Sequence, residues 1–75
     1  MDLVKLGDKL KKGAVFLQDD YEDIVLRLEM IGESTHCFIK RRGRNEVEVD
    51  STDKAIFESK MYGYEIRKEA YEEFQ

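Results

Sequence analysis

The sequence has no proline and no tryptophan, and it has one cysteine and one histidine among its 75 residues. A single cysteine cannot form a disulfide within the chain, so packing or a partner subunit must hold the fold. Zinc sites need clustered cysteine and histidine, whereas His36 and Cys37 are neighbours that point to opposite faces of a predicted strand. We therefore expect no metal site, and Cys37 suits a reducing, cytoplasmic compartment.

Long apolar runs and catalytic motifs are also missing. No stretch approaches the roughly 20 apolar residues that cross a bilayer, and the first dozen residues mix Asp and Lys with Leu instead of forming a signal-peptide core. The sequence has no Walker-type loop and no dinucleotide-binding glycine motif. No general base is positioned beside Ser34, Thr35 or Cys37 to activate a nucleophile. We expect a protein with no cofactor, no membrane association and no enzymatic activity.

Charge is abundant and strongly segregated along the chain. The sequence is 40% charged and 41% hydrophobic, with a net charge of −4, and this apolar content argues against disorder. Residues 40–44 carry four cations and residues 19–23 carry four anions. Such blocks influence partner choice more than fold. We interpret residues 1–75 as one domain whose small core leaves little room for a substrate pocket.

The first third of the chain predicts a helix followed by a strand. Leu3, Leu6 and Leu10 have helical spacing within residues 2–12, where Asp2 can cap the start and Gly13 can end the helix. A glycine inside this segment disfavours helix, so a loosely ordered arm is the alternative. Residues 14–17 form a short apolar run typical of a strand, and residues 18–23 form a polar turn.

Residues 24–31 and 34–40 alternate as two strands joined by a tight turn at Gly32 and Glu33. A two-residue turn places Leu28 opposite Cys37 and Leu26 opposite Ile39, on an apolar face. The other face carries both apolar and charged residues, and His36 can pair there with Glu29. These residues are Val25, Arg27, Glu29, His36, Phe38 and Lys40.

The next hairpin, around residues 42–44, has two possible registers. A three-residue loop places Ile39 opposite Val47 and Cys37 opposite Val49, whereas a two-residue loop places Phe38 opposite Val47. We favour the first register because it adds both valines to the apolar face.

The last third predicts helix, strand and helix. Residues 50–53 offer helix caps, and residues 54–62 place Ile56, Phe57 and Met61 on one side of a helix that Gly63 ends. Residues 64–66 predict a short strand and residues 68–74 a helical turn. The expected fold class is α+β: a small antiparallel sheet or open SH3-like barrel of about four to five strands, with one or two short helices on one face or end.

Three segments, Leu10–Phe16, Gly63–Ile66 and Tyr71–Phe74, form a pattern of glycine and apolar positions. This pattern resembles that of short phage-encoded accessory proteins with SH3-like small barrels, and the resemblance covers most of the chain. It implies a small barrel and a regulatory or inhibitory role, and it transfers no functional residue to this sequence.

Our first functional hypothesis is a non-enzymatic module that binds a host or cognate protein through an acidic, tyrosine-bearing surface. The acidic turn lacks the glycine and the spaced glutamate of an EF-hand, so calcium binding is not expected. Its carboxylates can instead complement a basic surface on another protein. The chain can act as a monomer or as a homodimer. The candidate protein-binding residues are Asp19, Asp20, Tyr21, Glu22, Asp23, Glu69, Glu72 and Glu73.

The alternative hypothesis is a nucleic-acid-binding module that uses the basic hairpin tip. Arginine and lysine can contact phosphates, and nearby Phe38 can stack on a base. A cationic tip also discourages edge pairing, and Glu46 and Glu48 across the strand can neutralise part of it. The net acidic charge argues against this alternative. Its candidate residues are Lys40, Arg41, Arg42, Arg44 and Asn45.

Overall fold

The computed structural model describes residues 2–75 as an α+β fold. Five antiparallel strands form an open sheet in the order β4-β3-β2-β1-β5. The expected fold class is confirmed, in its open-sheet form, and three short helices accompany the sheet. The elements are α1 (Leu3–Lys12), β1 (Val15–Asp19), β2 (Ile24–Ile31), β3 (Ser34–Arg41), β4 (Val47–Val49), α2 (Lys54–Tyr62), β5 (Tyr64–Ile66) and α3 (Lys68–Glu73).

The N-terminal segment is a helix and not a loose arm. The Asp2 carboxylate accepts a hydrogen bond from the Val4 N–H at 2.8 Å, which caps the start of α1. Lysines occupy the last turn, where the helix dipole favours cations. Leu6 is buried against the sheet. Among residues 2–75, no helix has the length and apolar content needed to cross a membrane.

Both predicted hairpin registers are confirmed. Alternation decides the register because a slip of one residue would move every apolar side chain of a strand to the opposite face. Gly32 and Gly43 have φ values of +65° and +71°, which turns of this kind demand. The observed pairs are Leu26 with Ile39, Leu28 with Cys37, Ile39 with Val47 and Cys37 with Val49.

Helices cover both faces of the sheet, which corrects the expectation that they share one face or end. α1 and α2 supply Leu6 and Ile56 to the main core, whereas α3 supplies Tyr71 to a smaller core on the opposite face. The cause lies in β2, because Val25 alternates away from the main core and is nevertheless fully buried. An apolar residue on the second face needs its own cover, and α3 provides it.

The predicted contact side of α2 is partly wrong. Ile56 is buried as expected, but Phe57 is 61% exposed and Met61 is 41% exposed. α2 docks instead through Ile56 and the fully buried Ser59. Its end lies very close to β1, because a Cβ on Gly63 would lie 2.9 Å from the Gln18 carbonyl oxygen. Glycine at position 63 therefore permits this close approach, and its φ of −79° is an ordinary value.

Candidate functional site

Both sequence-predicted binding segments lie at one end of the sheet. The β1–β2 turn, the β3–β4 loop and the start of β5 meet there, because consecutive strands are antiparallel. We refer to this end, formed by residues 19–23, 41–46 and 64, as the turn end. Arg42 joins its acidic and basic parts: its Nε donates to both carboxylate oxygens of Asp23, at 3.0 and 3.1 Å.

The residues of the acidic turn differ in burial: Asp19 is buried and the others are exposed. Asp19 lies at the end of β1, which runs two residues beyond the predicted strand, and it is only 5% exposed. Its carboxylate accepts hydrogen bonds from the Tyr21 N–H at 3.0 Å, the Glu22 N–H at 3.3 Å and the Ser59 hydroxyl at 3.1 Å. The expectation that Asp19 belongs to an exposed turn is therefore wrong. The buried Asp19 carboxylate holds the backbone of the turn through these hydrogen bonds.

The other residues of the turn are exposed. Tyr21 is 93% exposed, and Asp20, Glu22 and Asp23 also face solvent. Asp23 has a φ of 54°, a left-handed conformation that aspartate tolerates better than most residues. The turn thus presents a tyrosine flanked by carboxylates on a backbone that the buried Asp19 hydrogen bonds restrain.

Tyr64 joins this exposed group from a distant part of the sequence. Its hydroxyl donates to the Asp20 carboxylate at 3.1 Å, and the Gln18 side-chain amide donates to the same carboxylate at 2.8 Å. Desolvation and the hydrogen bond to Asp20 raise the pKa of Tyr64. We refer to Asp20, Tyr21, Glu22 and Tyr64 as the corner surface. Sequence reasoning missed Tyr64 because only the pairing of β5 with β1 brings it to the turn.

The basic tip is partly occupied by the C-terminal segment. The Lys40 ammonium lies 4.4 Å from the centroid of the Tyr71 ring and donates to the Tyr71 carbonyl oxygen at 2.6 Å. The Arg42 guanidinium lies 4.3 Å from the centroid of the Phe74 ring, and Arg42 Nη1 donates to the Gln75 carbonyl oxygen at 3.3 Å. Two of the four predicted phosphate-binding cations therefore have internal partners.

The remaining tip residues, Arg41, Arg44 and Asn45, are exposed. Their side chains form no hydrogen bond or ion pair with any residue from 2 to 75. The two glutamates expected to neutralise the tip bind elsewhere. Glu46 pairs with Arg27, and Glu48 lies 2.7 Å from His36 Nδ1.

A partly buried polar network supports α3 on the second face. Arg27 donates to Glu46 through Nη2 at 2.6 Å and through Nε at 3.4 Å, and the Tyr71 hydroxyl donates to Glu46 at 2.5 Å. The Arg27 guanidinium lies 3.9 Å from the centroid of the Phe38 ring and also pairs with Glu29. The suggested pairing of His36 with Glu29 is therefore wrong, since Arg27 occupies that carboxylate.

This network borders an open cleft of ≈ 790 Å³. The pKa values of the ionisable groups in the network are shifted away from neutral pH. The hydrogen bond from Arg27 lowers the pKa of Glu46, and the same bond raises the pKa of Arg27. Burial, together with the hydrogen bond to Glu46, raises the pKa of Tyr71. General acid–base catalysis works best when a pKa lies near the working pH, and each of these shifts moves away from it. The arrangement is suited to holding α3 in place.

The three predicted glutamates of α3, Glu69, Glu72 and Glu73, are exposed. Glu72 lies 3.9 Å from Lys68 in an ion pair one helical turn apart. The chain after α3 reaches Arg42, which also binds Asp23. The end of the acidic helix and the acidic turn are therefore joined through one arginine.

Within residues 2–75, no group of three or more His, Cys, Asp or Glu side chains is arranged to hold a metal ion. Comparison of the chain with protein-family models, curated proteins and solved structures finds no match. Any inference about function is therefore based on the geometry of the turn end.

Proposed function

We propose that the protein is a non-catalytic binding module, a small regulatory or inhibitory protein that occupies the surface of a host or cognate protein. The observation that carries this proposal is the corner surface, which combines a 93% exposed tyrosine and a 47% exposed tyrosine with two exposed carboxylates. Tyrosine is enriched at protein interfaces and frequent among the residues that dominate binding energy.

The rigidity of the corner surface supports the same proposal. Asp19 binds two backbone amides of the turn and Ser59 of α2, so the turn is tied to the main core. Tyr64 is tied to Asp20. A surface that is already ordered loses less conformational entropy when a partner binds.

The nucleic-acid alternative has weaker support. Lys40 and Arg42 are bound by the C-terminal segment, which leaves Arg41 and Arg44 as the cations of the tip without internal partners in the described chain. Two arginines supply a small part of the phosphate contacts that such proteins use. The net charge of −4 opposes approach to a polyanion.

Photo-crosslinking in lysate of the native host tests the proposal. A photoreactive amino acid replaces Tyr21 in one variant and Arg44 in a second, and replaces Val4 on the exposed side of α1 in a control. We expect a discrete protein adduct at position 21 that survives nuclease treatment and is absent at position 4. An adduct at position 44 that nuclease removes, with none at position 21, would contradict the proposal and favour the alternative.

A further inference from the structure

Two arginines of the protein each contact both an aromatic ring and a carboxylate. Arg27 lies against the Phe38 ring and pairs with Glu46. Arg42 lies against the Phe74 ring and pairs with Asp23. Such arrangements combine cation–π attraction with a charge-assisted hydrogen bond.

The corner surface also combines aromatic rings with carboxylates, but none of its four residues is a cation. The Tyr21 and Tyr64 rings are exposed, and the carboxylates of Asp20 and Glu22 form no ion pair with any residue of the described chain, 2–75. Among residues 2–75, Asp20 accepts hydrogen bonds only from the neutral groups of Tyr64 and Gln18. No positive charge of that part of the chain therefore compensates its negative charge.

Arg42, which pairs with Asp23 of the same turn, does not supply this charge. Arg42 is engaged with Asp23, with the Phe74 ring and with the Gln75 carbonyl oxygen. Lys9 pairs with Glu65, the residue that follows Tyr64. Lys9 and Arg42 thus have other partners, and no cation within residues 2–75 pairs with Asp20 or Glu22.

We propose that the corner surface receives an arginine side chain from an arginine-rich, basic segment of the partner protein. This inference rests on the proposed function and names the chemistry of the partner. A guanidinium is planar and weakly hydrated, so it can stack on a tyrosine ring while its N–H groups bind a carboxylate. A lysine ammonium holds its hydration more strongly and offers no flat face. The corner surface therefore distinguishes arginine from lysine.

The test is a titration of the isotope-labelled full-length protein with two capped peptides, hexa-arginine and hexa-lysine, followed by amide NMR shifts. We expect the arginine peptide to bind about two- to fivefold more tightly than the lysine peptide, because of its stacking on tyrosine. The largest shifts should occur at residues 20–22 and 64. Tyr21→Leu should remove most of the preference for arginine.

Two single-charge variants provide a matched control. Asp20→Asn and Glu33→Gln each remove one exposed negative charge, one at the corner surface and one in the β2–β3 turn at the opposite end of the sheet. We expect Asp20→Asn to weaken binding of the arginine peptide and Glu33→Gln to leave it nearly unchanged. Equal weakening by both would show that the peptide responds only to net charge, and equal affinity for the two peptides would also refute the inference.

The two proposals fail separately. A nuclease-resistant protein adduct at position 21, together with equal binding of both peptides, would retain the protein-binding function and refute the arginine inference. Tight, Tyr21-dependent binding of hexa-arginine without a protein adduct at position 21 would retain the arginine chemistry and refute the proposed function.

Discussion

Replacing Glu46 with Gln should destabilise the protein near neutral pH and have little effect in acid. Glu46 accepts hydrogen bonds from Arg27 and from the Tyr71 hydroxyl, and its side chain is 31% exposed. Loss of a charged hydrogen-bond partner costs about 1.5–3 kcal/mol. Partial exposure reduces the ion-pair contribution, so we expect a loss of about 1–2 kcal/mol in the free energy of unfolding at about pH 7.

The sign of the pH dependence follows from the lowered pKa of Glu46, which the Arg27 hydrogen bond causes. A carboxyl whose pKa is lower in the folded than in the unfolded protein contributes stability above its unfolded pKa, about 4.3. That contribution is lost as the pH falls through the folded pKa. The difference between wild type and Glu46→Gln should therefore shrink as the pH falls below about 4.3.

Urea unfolding followed by far-ultraviolet circular dichroism, measured from about pH 7 to about pH 3, checks this expectation. Tyr71→Phe and the double variant complete a mutant cycle that isolates the Glu46–Tyr71 interaction. A destabilisation that is the same at both ends of the pH range would refute the reasoning, because it would show that the charge of Glu46 is irrelevant. The absence of coupling to Tyr71 would refute the proposed role of the network in holding α3.

Two further predictions concern Tyr71 and the glycines. Burial and the Glu46 hydrogen bond raise the pKa of Tyr71, so its contribution to stability is complete below the unfolded pKa of about 10 and is lost as the pH rises through the folded pKa. The pKa of Tyr64 is also raised, but the last tyrosine to titrate in phenolate absorbance should be the one that Tyr71→Phe removes. A last titration step that persists in Tyr71→Phe would contradict this. Gly63→Ala should lower the free energy of unfolding by about 1–3 kcal/mol through overpacking, since its Cβ would lie 2.5 Å from the Ser59 carbonyl oxygen. Gly7→Ala in α1, with nothing within 4 Å of its Cβ, should instead raise the free energy of unfolding by up to about 1 kcal/mol. Urea midpoints that move in the same direction for both variants would contradict the packing argument.

The turn end shows how a mixed distribution of charge can serve a binding protein. Arg42 and Asp23 neutralise each other where the acidic and basic segments meet. Beyond that pair, the carboxylates of the corner surface lie on one side, whereas Arg41 ends β3 and Arg44 lies in the β3–β4 loop. Under the proposed binding function, a partner would have to match both signs, and such complementarity favours specificity and a defined orientation.

The local pattern of the sequence was sufficient to predict α1 and the hairpin registers. Helical spacing with an aspartate cap identified α1. Strict alternation in β2 and β3 left one register that buries Leu26, Leu28 and Cys37 together. These features depend on residues that are near in sequence or paired through a short turn, so local periodicity determines them.

Only the tertiary structure decided which polar groups meet. Four aspartates and glutamates in residues 19–23 are similar in sequence, yet docking of Ser59 buries Asp19 alone. The contact of Tyr64 with Asp20 depends on β5 adding to the far side of β1. Polar side chains have many chemically equivalent partners, and the placement of helices and edge strands selects among them, whereas apolar burial on the main-core face of β2 and β3 follows the two-residue period of a strand.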